Sequence, residues 1–217
     1  MKSEISKETI ENCRKTPWDF GNEVLYIMCK ENFLHKESGK IIAKIWLIGR
    51  AYSAAIERRK NKVSINDNFY VDTVAPAFLN SKIDSYLSAL NGQEELTMEN
   101  LPHVLEAHNY LTQLTASITK LEKRSFSSKY LHFHLPNLFF IYDSRVTASI
   151  RGFSSKIPEK MRPFVESEKV DKEYAKFVCR CFELRNEINK TFNIQLTMRE
   201  FDNLLIYYAN RRLELKN

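Results

Sequence analysis

One stretch of this chain holds two residues whose types can do chemistry, the amine of Lys129 and the carboxylate of Asp143, 14 residues further on. A lysine amine is a nucleophile only when neutral. Its ordinary pKa lies near ~10.4, so Lys129 needs burial or a cationic neighbour before it can attack anything near neutral pH. His132 follows it by three residues on the same helical face, and Arg145 stands close after Asp143. A carboxylate next to such an amine can stabilise positive charge as it develops.

The elements that must position this pair are legible around them. In Arg124–Arg151, RSFSSKYLHFHLPNLFFIYDSRVTASIR, Ser125 sits where a helix N-cap belongs, with Ser127 and Ser128 in the first turn. Leu135-Pro136-Asn137 ends that helix, because proline pushes the preceding residue out of the α region. Phe139-Phe140-Ile141-Tyr142 must be buried, and Asp143 then caps a helix over Ser144–Ile150. The lysine early in one helix is thereby set near the aspartate at the head of the next.

The rest of the chain reads as helix after helix. Thr16-Pro17-Trp18-Asp19 predicts a helix start, continued by Phe20, Val24, Leu25 and Met28. Ser38 to Arg59 has Ile41, Ile45, Ile48, Tyr52 and Ile56 at helical spacing, with Arg50 in its interior and Gly49 as the point where a neighbouring helix can come close. Asn66–Val74 is open between a short extended piece and a helical turn. Periodic apolar residues then predict helices over 76–90, 97–123 and 169–190, with a polar, proline-bearing loop over 152–168. Thr197-Met198-Arg199-Glu200 is a capping box that opens a last helix with Phe201, Leu204, Leu205, Tyr208 and Leu213. The expectation is an all-α, multi-helix orthogonal bundle with little or no sheet. It forms a single helical domain over residues 1–217, with two lobes, 1–123 and 124–217, and a cleft between them as the finer alternative.

Composition fits this. The 217 residues suffice for one sizeable core, and only five glycines and six prolines argue against a turn-rich sandwich or barrel. Thirty-three basic against 27 acidic residues give a net charge of +6, dispersed along the chain. That balance permits a nucleic-acid partner without requiring one. Cys13, Cys29, Cys179 and Cys181 lack zinc-site spacing and read as free buried thiols, so neither a metal nor a cofactor is expected. No signal peptide or membrane-length apolar run is present, which gives the expectation of a cytoplasmic protein with no membrane partner.

Lys129, the proline turn, the apolar run and IYDSRV together resemble the helix-hairpin-helix DNA glycosylase superfamily, and within it the all-helical fold of 8-oxoguanine DNA glycosylases. RAYSAAIERR (Arg50–Arg59) and TMREFDNLLIYY (Thr197–Tyr208) are similar to segments of uncharacterised bacterial proteins with this fold. The resemblance implies DNA as partner, Lys129 as the nucleophile that forms a Schiff base with a flipped-out nucleoside, and Asp143 as its electrostatic partner. It further implies that Arg124, Ser125, Ser127, Ser128, His132, Arg145 and Arg50 hold the nucleic acid. The chain departs from the pattern in two ways. The family's hairpin glycines are replaced by Arg124-Ser125-Phe126-Ser127-Ser128, and the Lys-to-Asp interval is shorter than usual.

Each residue also has a plainer reading. Asp143 as a helix cap is worth about 1 kcal/mol with no further role. Lys129 in a first helical turn reads as a solvated lysine, His132 and His134 as partly buried hydrogen-bonded histidines, and Arg50 as the partner of Glu57 or Asp202. A non-catalytic nucleic-acid or protein-binding module, associated with defence or mobile elements, is therefore the alternative to a glycosylase/lyase. An unrelated helical interaction protein is the third.

Overall fold

Eleven α-helices follow one another in the computed structural model, which describes residues 5–57, 68–154 and 156–214, without the Leu213 side chain. They are α1 (Lys7–Cys13), α2 (Asp19–Glu31), α3 (Ser38–Ala51), α4 (Ala75–Leu79), α5 (Ile83–Leu90), α6 (Leu101–Thr119), α7 (Arg124–His134), α8 (Ser144–Phe153), α9 (Arg162–Glu166), α10 (Lys172–Phe192) and α11 (Met198–Glu214). No strand occurs among the described residues, so the expected all-α bundle is what the chain forms. Phe69–Val74 is a turn of π-helix leading into α4, not an extended piece. One hydrophobic cluster draws on both halves of the chain, from Ile5 to Tyr208.

The capping box at the head of α11 forms as read: Thr197 N–H donates to Glu200 Oε2 at 2.8 Å and Glu200 N–H to Thr197 Oγ1 at 3.1 Å. Helix α2 starts later than expected. Thr16 is not its N-cap; its amide and hydroxyl donate instead to Asp19, at 2.9 and 2.7 Å. The helix expected over 76–90 is split into α4 and α5, and residues 152–168, expected as a loop, contain α9.

Helix α3 stops at Ala51 instead of running toward Arg59, and Arg58 and Arg59 lie outside the described residues. Ser53 takes a left-handed conformation (φ 52°), and the Ala54 amide donates back to the Gly49 carbonyl at 2.8 Å. A Cβ on Gly49 would stand 3.2 Å from the Ala55 Cα. Gly49 therefore makes room for the chain's own returning turn, not for another helix.

Helix α7 is the buried axis. Every residue from Phe126 to His134 is buried, and α2, α3 and α6 all pack on it. A helix enclosed on all sides is normally apolar throughout. This one carries Ser127, Ser128, Lys129, Tyr130, His132 and His134, so each polar group needs a partner inside the protein. Proline 136 ends it as expected, with Leu135 as C-cap. Phe139, Phe140 and Ile141 then cross the core to Asp143, which caps α8 by accepting from the Arg145 amide at 3.0 Å. The densest helix pairing, α8 against α11, closes the bundle behind that cap.

Candidate functional site

Lys129 and Asp143 meet. The Lys129 amine lies 3.4 Å from Asp143 Oδ2, and it also donates to Ser125 Oγ at 2.9 Å and the Tyr52 carbonyl at 3.2 Å. The lysine side chain is 3% exposed and that of Asp143 29%, so the amine is buried while the carboxylate it faces reaches solvent. The expectation of a solvated lysine is thus overturned. Burial pushes the Lys129 pKa below its ordinary value, with the Asp143 charge working in the opposite direction. The short interval is sufficient because α7 ends on a proline turn and the next residues run extended, which returns the chain to the start of α7.

The seven residues expected to hold nucleic acid divide sharply. Arg145 is exposed, with its Nε 3.8 Å from Asp143 Oδ1. Ser125 is not the N-cap; α7 begins at Arg124, and the Ser125 hydroxyl serves Lys129. Ser127, Ser128 and His132 are fully enclosed, and contact with a phosphate would require α7 to leave the core. Ser128 Oγ donates to the Ser125 carbonyl and accepts from the Tyr142 amide, tying the α7 start to the approach to Asp143. His132 donates from Nδ1 to the Phe139 carbonyl at 2.8 Å and accepts at Nε2 from the Tyr26 hydroxyl at 2.7 Å. Arg124 is held by Asp171 and Glu122, each at 2.5 Å. Arg50 is exposed and pairs with Glu57, not Asp202, because the turn at Ser53 brings Glu57 back beside it.

Tyr52, Arg199 and Asp202 complete the surroundings of Lys129. The Tyr52 ring lies 5.8 Å from the Lys129 amine and 5.4 Å from the Arg199 guanidinium. Arg199 is enclosed by Tyr26, Tyr52 and Phe133, donates to the Tyr26 hydroxyl at 3.1 Å and stands 3.5 Å from Asp202 Oδ2. Burial raises the Asp202 pKa to about 6. Position 202 falls one turn from Met198 and Leu205 on the buried face of α11, and that placement was the available signal.

A second polar cluster escaped the sequence reading. Lys44 on α3 is fully buried and donates to the Asn32 carbonyl at 2.6 Å and to His134 Nε2 at 3.1 Å. Beside it His35 bridges Asp84 and the Tyr130 hydroxyl, at 2.5 Å to each. Lys44 lies on the Ile41–Ile45–Ile48 face, where a lysine is out of pattern.

Among the described residues no three metal-ligating side chains come together, and no helix is long and apolar enough to cross a membrane. All four cysteines are free and buried. Compared with protein-family models, with curated proteins and with solved structures, the chain matches none.

Proposed function

We propose that this chain acts on nucleic acid as a base-excision glycosylase/lyase of DNA glycosylase-like architecture, with Lys129 and Asp143 as its reacting pair. The observation that carries this reading is the desolvated Lys129 amine held 3.4 Å from a carboxylate that reaches solvent. Burial favours the neutral amine that nucleophilic attack requires. Lys129 would attack the anomeric carbon of a flipped-out nucleoside as the bond to the base breaks, the departing base taking a proton. Ring opening would then give the imine, the sugar ring oxygen accepting the second amine proton. The Asp143 carboxylate would stabilise positive charge on the sugar, and the exposed Arg145 would meet the flanking phosphate.

Borohydride trapping on duplexes containing 8-oxoguanine or an abasic site tests this directly. A covalent adduct is expected with the wild-type chain and none with Lys129→Ala. Absence of any wild-type adduct refutes the lyase chemistry.

A non-catalytic binding module is the second reading, and one observation favours it. Lys129 already has three acceptors, in Tyr52, Ser125 and Asp143, as a structural lysine should. In that case DNA binding persists and weakens with salt, but no adduct forms. Arg151 faces Glu173 at 3.9 Å, and Arg124 and Arg145 face carboxylates too, so the salt slope is expected to reflect few phosphate contacts.

A further inference from the structure

Asp202 on α11 is buried in an unusual way. Its side chain is 5% exposed, and Oδ2 faces Arg199 Nη1 at 3.5 Å. Oδ1 has no hydrogen-bond partner, and neither has Arg199 Nη2. A buried carboxylate held only for stability normally has both oxygens satisfied. From Asp202 a continuous line of contacts leads to Lys129. The Arg199 guanidinium lies 5.4 Å from the Tyr52 ring, the ring lies 5.8 Å from the Lys129 amine, and the Tyr52 carbonyl accepts from that amine at 3.2 Å. This line does not pass through Asp143. It reaches the amine from α11 and the turn after α3, while Asp143 meets it from the head of α8.

We propose that Asp202 is a positioning residue of the Lys129 site, a second carboxylate shut off from solvent whose charge, transmitted past Arg199 and Tyr52, sets whether the Lys129 amine carries a proton. The proposal rests on the reading of Lys129 as the reacting amine. The groups that face Asp202 are Arg199 on its own helix, Lys129 on α7, Asp143 and Arg145 at the head of α8, Tyr26 on α2, Tyr52, and Cys181 on α10. As an anion Asp202 favours the ammonium form of Lys129; neutralised, it favours the free amine. Its own titration near pH 6 puts that change within reach of ordinary conditions.

The test follows the lysine side-chain 13Cε resonances of the full chain against pH, without nucleic acid, with Lys129 assigned through Lys129→Gln. In the wild type the Lys129 resonance is expected to show a small inflection near pH 6 in step with the Asp202 13Cγ signal, besides its main titration. Asp202→Asn should remove the inflection and move the main midpoint down, raising the neutral fraction at about pH 8 roughly threefold or more, the equivalent of half a pKa unit. Asp202→Glu should restore both features. A Lys129 titration identical in wild type and Asp202→Asn overturns the proposal, because a merely structural role would change stability alone. If Asp202→Asn does not fold, the wild-type curve decides, and a Lys129 resonance flat through the Asp202 titration overturns the proposal. Coupling without borohydride trapping would sink the nucleophile reading alone. Trapping without coupling would sink only the role of Asp202.

Discussion

Lys44 Nζ lies 3.1 Å from His134 Nε2, at the end of the same helix that carries Lys129. The pairing fixes the imidazole tautomer. Nδ1 of His134 faces the Tyr130 carbonyl at 2.8 Å and must donate, which leaves Nε2 to accept from the lysine. His132 follows the same logic, with Nδ1 donating to Phe139 and Nε2 accepting from Tyr26. Helix α7 is thus pinned by polar networks from α2 and α3, and those networks hold the helix from which Lys129 projects.

The burial of Lys44 has a definite pH signature. Burial lowers its pKa to about 8 from an unfolded value near 10.5. Between these values the unfolded chain binds more protons, so this residue's contribution to stability rises with pH from about 8 to 10.5 and its penalty is complete below 8. Urea unfolding across that range should show the stability difference between wild type and Lys44→Met moving in favour of the wild type as pH rises. Lys44→Ala, which opens a cavity and strands the Asn32 and Phe33 carbonyls and His134 Nε2, should cost about 3 kcal/mol or more at neutral pH.

Acid should act through the histidines. Four of the five, His35, His108, His132 and His134, are buried, and burial lowers the pKa of each, to about 4 for His35 and His108. The unfolded chain then binds more protons below about 6.5, so their contribution is complete above that value and is lost as pH falls toward 4. Asp202, raised to about 6, opposes this between about 4 and 6. Thermal melts should therefore drop from about pH 6.5 downward, and more steeply in Asp202→Asn. A flat profile over that range would contradict the neutral, buried imidazoles.

Gly49→Ala tests the turn that brings Tyr52 to Lys129. The added Cβ would press within 3.2 Å of the Ala55 backbone, which can yield only by moving the turn. A loss of about 1–2 kcal/mol is expected despite alanine's better helix propensity, together with a shifted Lys129 13Cε resonance. Unchanged stability and an unmoved resonance would show the turn to be compliant.

Arg50 is expected to matter little to the fold. It is 58% exposed, and its partner Glu57 also accepts from the Tyr70 hydroxyl. Arg50→Ala should change the urea midpoint by the equivalent of less than about 1 kcal/mol. A larger loss would mean that the pair holds the Ser53 turn in place.

Much of the architecture was legible because it depends on local rules. Proline 136 ended α7, Asp143 capped α8, and Thr197 with Glu200 opened α11, since each acts within a few residues along the chain. The juxtaposition of Lys129 and Asp143 was partly legible for the same reason, with only a proline turn and a short crossing between them. Boundaries failed where tertiary contacts intervene. The apolar period of α3 continues to Ile56, but Ser53 turns the chain back over Gly49, and no local signal marks that reversal.

By itself the sequence determined a helical chain, the order of its longer helices, and a lysine followed closely by a capping aspartate. The tertiary structure alone decided that Lys129 is desolvated, that Ser127, Ser128 and His132 face inward, and that Lys44 and Asp202 are buried charges. The physical reason is that periodicity identifies the apolar face of an isolated helix. Helix α7 is covered from several sides at once, and which of its polar residues end up enclosed depends on the helices that pack around it.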